Sequence, residues 1–102
     1  MTELERENIL VLQLVQASIG LISPEIYAIS IQLQDSHVTV HFAVQKVTSA
    51  LREDVDDIIF ELDALIPGSM TSKALIHQGM PDSHWTGRQY RMVYMRKSAS
   101  FD

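Results

Sequence analysis

The sequence contains no cysteine, which removes disulfides, thiolate metal sites and cysteine nucleophiles from consideration and fits a reducing compartment. Its four glycines are too scattered to build a phosphate-cradling loop, and neither a zinc-protease helix motif nor an acidic calcium loop occurs. No cationic segment precedes the apolar run "ILVLQLVQASIGLI" from Ile9. Glu3, Glu5 and Glu7 stand there instead, so the run does not read as a signal peptide. Gln13 and Gln16 interrupt it, and it is shorter than the ~20 residues of a membrane span. A soluble, cytoplasmic protein is expected. Internal repeats, low-complexity tracts and linkers are also missing.

What is present is ordinary for a globular chain. The 102 residues are 46% hydrophobic and 21% charged, enough for one small domain with a single core. Thirteen acids against eight bases give a formal charge of −5, which disfavours unaided binding to nucleic acid or an anionic membrane and favours a basic partner.

Thr2 followed by Glu5 is a capping box at a helix start, and Gly20 suits its stop. Between them Leu4, Val11, Leu14, Val15 and Ile19 are assigned to an inward stripe. Ser23-Pro24 breaks the helix. From Ile26 the period becomes two: Tyr27, Ile29, Ile31 and Leu33 alternate with smaller or polar residues. After a turn at Asp35-Ser36, Val38, Val40, Phe42 and Val44 do the same. This predicts a hairpin whose second face, carrying Ser30, Gln32, Thr39 and His41, is solvated. Thr48 or Ser49 caps a second helix that halts at Pro67-Gly68. Its core side is Leu51, Val55, Ile58, Ile59, Leu62, Leu65 and Ile66. Strands are expected over residues 72–78 and 89–96, with "GMPDSHWTG" as the loop between them. Apolar residues occupy both phases of the last strand, so the pattern leaves its inward face open. The result is an α+β domain over residues 1–97 in αββαββ order, a four-stranded, mainly antiparallel sheet with both helices on one face. A flexible tail from Ser98 to Asp102 follows.

Candidates for chemistry are few. His37 and His41 share a strand face but lie about 13 Å apart by strand rise, too far to bind one zinc ion unaided. His84 beside Asp82 and Ser83 could in principle form a base with an orienting carboxylate, although adjacent loop residues rarely hold such geometry. A small ligand-binding or enzymatic domain using the wet sheet face and this loop is therefore the alternative reading. RNA stacking on Trp85, Tyr90 and Tyr94 is opposed by the net charge. No catalytic residue, cofactor or metal is assigned.

The charge is unevenly placed. Residues 53–63 hold Glu53, Asp54, Asp56, Asp57, Glu61 and Asp63 with no base, while residues 88–97 hold Arg88, Arg91, Arg96 and Lys97 with no acid. At 100° per residue Phe60 points away from the core stripe of its helix and into these carboxylates. An exposed aromatic among charges suits an interface anchor, with the acids steering a basic partner into register. Packing of Phe60 on a neighbouring loop or a second subunit is the competing explanation.

These features together resemble the small immunity proteins of bacterial contact-dependent growth inhibition systems. The resemblance runs over most of residues 10–97: a helix ending near Gly20, the turn Ile22-Ser23-Pro24, a strand ending at aromatic Phe42, the acidic helix from Glu53 to Asp63, and the basic ending Val93, Tyr94, Arg96 and Lys97. It departs at Lys46, where acids follow the second strand in the family, and in the loop "GMPDSHWTGRQ". It implies a non-enzymatic cytoplasmic inhibitor of a cognate toxin domain, often a nuclease, needing neither nucleic acid nor membrane. On that reading the partner-binding residues are Glu53, Asp56, Asp57, Phe60, Glu61 and Asp63. The pattern does not fix the oligomeric state; a monomer is the working expectation.

Overall fold

The computed structural model describes residues 1–97; the tail expected from Ser98 to Asp102 lies outside the described residues. Helix α1 spans Glu3–Ser18, followed by β1 (Ile26–Gln34), β2 (His37–Val44), α2 (Ser49–Leu65), β3 (Thr71–Gln78), a short 3₁₀ turn (Thr86–Gln89) and β4 (Arg91–Met95). The αββαββ order and the α+β class are those the sequence predicts. No helix among the described residues is long and apolar enough to cross a membrane.

The strands lie in the order β3-β2-β1-β4. β1 pairs antiparallel with β2 and β4, whereas β2 and β3 run parallel. Two parallel neighbours cannot be joined by a tight turn, and α2 is the crossover that returns the chain to the same end of the sheet. β3 and β4 therefore occupy opposite edges, and the segment joining them must traverse the sheet.

Local chemistry sets the element ends. The Thr2 hydroxyl accepts from the Glu5 amide at 3.1 Å while the Glu5 carboxylate accepts from the Thr2 amide, the capping box. Gly20, at φ 78°, carries the chain out of α1 in a conformation costly for a residue with a Cβ. Asp35, at φ 56°, forms the two-residue hairpin turn, a geometry aspartate tolerates. Its carbonyl accepts from the Arg6 guanidinium at 2.8 Å.

The main core lies between the sheet and the two helices. Ile29, Ile31, Val38, Val40, Phe42 and Val44 meet Leu10, Leu14 and Ala17 of α1 and Leu51, Val55, Ile58 and Leu62 of α2. The α2 stripe is the expected one. The α1 stripe is so only in part: Leu14 is buried and Val11 packs on the core as expected, but Leu4, Val15 and Ile19 are exposed, and Leu10, Ala17 and Ser18 are buried instead. Apolar residues are spread round this helix between polar ones, so periodicity alone admits more than one inward face. Tertiary contacts select one, with the Gln13 amide donating to the Leu65 carbonyl at 2.9 Å and turning that side of α1 toward α2.

The second sheet face is where expectation and structure part. Ser30 is 0% exposed, His41 2% and Thr39 7%, so the predicted solvated face is covered. The β3–β4 connection folds across it and drives Trp85 onto Ala28 and Ala43, which sit opposite each other in the β1–β2 register. Two alanines side by side leave a hollow the size of an indole, and burying that ring removes on the order of 150–250 Å² from water. Gly87 lies against both Trp85 and His41, where a Cβ would come within 2.5 Å of the indole and 2.6 Å of the His41 Cβ. Its carbonyl accepts from the Ser30 hydroxyl at 2.7 Å. His41 meets the Gln32 side-chain oxygen at 3.0 Å and stacks on Tyr90, with centroids 5.1 Å apart and planes 14° from parallel. The buried polar groups of this face are thus partnered, as burial requires.

A bulge opposite Ile29 and Ser30 explains why the last strand had no legible phase. An extra residue shifts the alternation, so that Val93 and Tyr94 both pack toward the helix side while Met92 and Met95 meet the Trp85 cluster.

Candidate partner-binding surface

Helix α2 begins where the Thr48 hydroxyl accepts from the Leu51 amide at 3.0 Å. Burial of Leu51, Val55, Ile58 and Leu62 then fixes its rotation about its own axis. With that rotation set, residue 60 has no choice but to point away from the sheet. Phe60 is 72% exposed, with Asp56 and Asp57 one turn before it, Glu53 two turns before, and Glu61 and Asp63 after. All five acids are exposed. Packing of Phe60 on a loop of the same chain is ruled out by that exposure.

Among the described residues the two ion pairs are His84 with Asp82 and Arg91 with Glu7, and neither involves α2. Asp63 accepts a hydrogen bond from the Ser72 hydroxyl on β3, so one of the six predicted residues also ties the helix to the sheet edge. The other four acids and Phe60 face outward without such a role.

The arginines of the last segment are used elsewhere. Arg91 meets Glu7 at 3.1 Å, Arg88 donates to the Pro81 carbonyl at 2.8 Å, and the Arg96 guanidinium sits 4.6 Å from the Tyr27 ring centre while donating to the Pro24 carbonyl. They brace β4 and the covering loop at the sheet edge opposite β3. The polarity of charge read from the sequence is therefore real in space. None of these arginine contacts is with an acid of α2.

The alternative surface loses its basis. His41 is buried, and burial, with Lys73 as the second cause, holds its pKa below the ordinary histidine value; a neutral ring stacked on Tyr90 is a packing element. His37 is exposed and bonded to Thr71 at 2.7 Å. The His84 side chain is 88% exposed, its Nδ1 3.5 Å from Asp82. The same carboxylate accepts from the His84 backbone amide at 2.9 Å, and this bond is the main cause of its lowered pKa. That is a loop turn and not an enclosed base. Trp85 is buried and Tyr90 is engaged with His41, which leaves no row of open rings for bases to stack on. Among the described residues no group of three or more histidines, aspartates and glutamates is placed to hold a metal ion.

The covering of the second face was missed, but a signal for it existed. Ala28 and Ala43 interrupt an otherwise polar alternation, and the lone Trp85 stands in the loop that must cross them. Curated proteins give no match to the sequence. The family model described as MafI2 immunity protein does match, over residues 7–98, a span that holds all but the first turn of α1, the whole of α2 and all four strands. That match agrees with the toxin-immunity resemblance of the sequence, and the chain belongs to the MafI2 immunity protein family.

Proposed function

We propose that the chain neutralises a cognate toxin domain by occlusion, laying the exposed face of α2 over a basic cleft on the toxin. Phe60 is the apolar anchor, and Glu53, Asp56, Asp57, Glu61 and Asp63 are the anionic contacts that steer the two proteins together. A nuclease is the toxin class that best fits this surface, since a nuclease cleft is built to attract phosphates and clustered carboxylates present charge of the same sign. Action in the cytoplasm, in a contact-dependent inhibition system, completes the reading.

The carrying observation is the 72% exposure of Phe60 within an acidic face. Membership of an immunity protein family supports the toxin as partner. No catalysis by this chain is needed, because blocking access suffices.

The test is the affinity of wild type and Phe60→Ala for the cognate toxin domain, by calorimetry and by protection of bacteria expressing that domain. Truncating a central anchor costs about 2 kcal/mol or more, roughly 30-fold in Kd. Because the side chain is solvent-exposed, the melting temperature should not move. Unchanged affinity would remove α2 as the binding face while leaving the family assignment intact.

A further inference from the structure

Beyond the acidic ridge, most of the exposed large apolar side chains of the described residues lie on α1 or at its ends, with Leu75 of β3 the exception. Leu4, Leu12, Val15 and Ile19 are 62%, 70%, 47% and 75% exposed. With Asn8 they occupy positions separated by four, four, three and four residues, and at 100° per residue they fall within about 80° of arc on α1. The stripe borders an apolar groove of about 390 Å³ between α1 and the β4 edge, lined by Val15, Ser18, Ile19, Ile22, Val93 and Tyr94. It lies on the flank of α1 away from α2, since Gln13 marks the α2 side through its bond to Leu65. A stripe of this kind is more than scattered surface hydrophobicity.

We infer that this stripe is a self-association surface, on which two copies of the chain meet α1 against α1, antiparallel, about a two-fold axis near Leu12.

Charge selects the occupant. No Asp, Glu, Lys or Arg occurs between Glu7 and Glu25. Two identical molecules each carrying −5 repel wherever their acids face each other, as they would across α2. The stripe is uncharged from Asn8 to Ile19, and an antiparallel pair sets the acids beside Leu4 (Glu3, Glu5 and Glu7) against the uncharged end of the partner, so the two copies meet there without that repulsion. A basic partner would gain no electrostatic steering there.

The spacing selects the geometry. A two-fold contact brings each surface against itself, so it must read alike in both directions. Counted from Leu12, Leu4 lies eight positions before and Ile19 seven after, and Asn8 lies four before and Val15 three after. An antiparallel pair therefore sets Ile19 beside the partner's Leu4 and Val15 beside the partner's Asn8, with the two Leu12 side chains near the axis. Steps of three and four are those of a packed helix seam, and the antiparallel arrangement also opposes the helix dipoles favourably. Each α2 ridge stays outward, so the dimer leaves both toxin-binding faces free; the inference does not depend on what those faces bind.

The absence of cysteine makes the test direct. Leu12→Cys introduces the only thiol, and a residue near the axis is within disulfide reach of its symmetry mate, so mild oxidation should give a dimer on a non-reducing gel. Phe60→Cys should not. Sedimentation of the wild type across a concentration series should show a monomer–dimer equilibrium in the micromolar range, and Leu12→Glu or Ile19→Glu should weaken it more than about tenfold with unchanged circular dichroism and melting. A wild type that stays monomeric throughout overturns the inference, as does a dimer indifferent to both glutamate variants, or cross-linking of Phe60→Cys as fast as Leu12→Cys. A monomeric wild type whose toxin affinity falls with Ile19→Glu also overturns it, and assigns the stripe to the toxin.

Discussion

Replacing Gly87 by alanine adds one methyl group at the tightest point of the molecule. The new Cβ would lie 2.5 Å from the Trp85 ring and 2.6 Å from the His41 Cβ. Both neighbours are 2% exposed, so neither has open space to move into. Overpacking a filled site costs about 1–3 kcal/mol. Any retreat of the loop also lengthens the 2.7 Å bond from the Ser30 hydroxyl to the Gly87 carbonyl, a buried contact whose loss adds roughly 1 kcal/mol. The combined expectation for Gly87→Ala is about 2–4 kcal/mol, which for a domain of this size lowers the melting temperature on the order of 10–30 °C. Gly68→Ala is the control, because nothing lies within 4 Å of a Cβ there, and it should stay within about 0.5 kcal/mol of wild type. Trp85 is the sole tryptophan, so its emission reports the loop while far-ultraviolet circular dichroism reports the sheet and helices. If the loop is the weak unit, Gly87→Ala shifts the emission to the red at temperatures where the dichroism is still native. A variant as stable as wild type with unchanged emission would refute the packing of this loop on β1 and β2.

Thr48→Ala removes the hydroxyl that caps α2 through Leu51 and should cost about 1 kcal/mol in urea unfolding; a neutral result would mean that the helix start is satisfied otherwise. The pH dependence of stability has a definite sign at His41. Burial, then Lys73, lowers its folded-state pKa, so the unfolded chain binds the proton more readily. The stabilisation from the neutral ring is complete above the ordinary value near 6.5 and is lost as pH falls below it. Unfolding free energy measured between about pH 7.5 and 5 should decline more steeply for wild type than for His41→Gln, and equal slopes would exclude His41 as the source.

Legibility followed from how each element earns its burial. Thr2, Glu5 and Thr48 act within a few residues of themselves, and their caps were read correctly from local sequence. The α2 stripe was legible because acids occupy every other side of the helix and leave one possible core face. The α1 stripe was legible only in part, because apolar residues are spread round that helix and its rotation is set by neighbours that periodicity does not describe. The second sheet face failed for a related reason. Ser30, Thr39 and His41 are polar, and polarity predicts solvent unless a distant segment brings partners; here Gly87, Gln32 and Tyr90 do so. The exposure of Phe60 needed only the phase of its own helix, and it was read correctly.

Apart from Asp63, which is bonded to Ser72, the acids of α2 sit where they disfavour their own helix. Glu53 with Asp57 and Asp57 with Glu61 are like-charge pairs four apart, and Glu53 with Asp56 and Asp54 with Asp57 are like-charge pairs three apart. Each disfavours the helix by about 0.2–0.5 kcal/mol, on the order of 1–2 kcal/mol for the four. The first turn of α2, where acids would complement the dipole, contains none, while Asp63 lies in the last turn, where a negative charge costs about 0.3–1 kcal/mol. Asp57→Lys inverts this arrangement at one position: it removes three of the four repulsions and creates attractive pairs with Glu53 and Glu61. It should therefore raise stability by about 1 kcal/mol, a gain of several degrees in melting temperature. The same change places a cation beside Phe60 on the face proposed to meet a basic cleft, so affinity for the toxin domain should fall at least tenfold, and more steeply at low salt. Opposite signs in the two measurements are the mark of a surface kept for binding at the expense of the helix. A variant that melts lower than wild type, or one that is stabilised and still binds at full strength, would break that link.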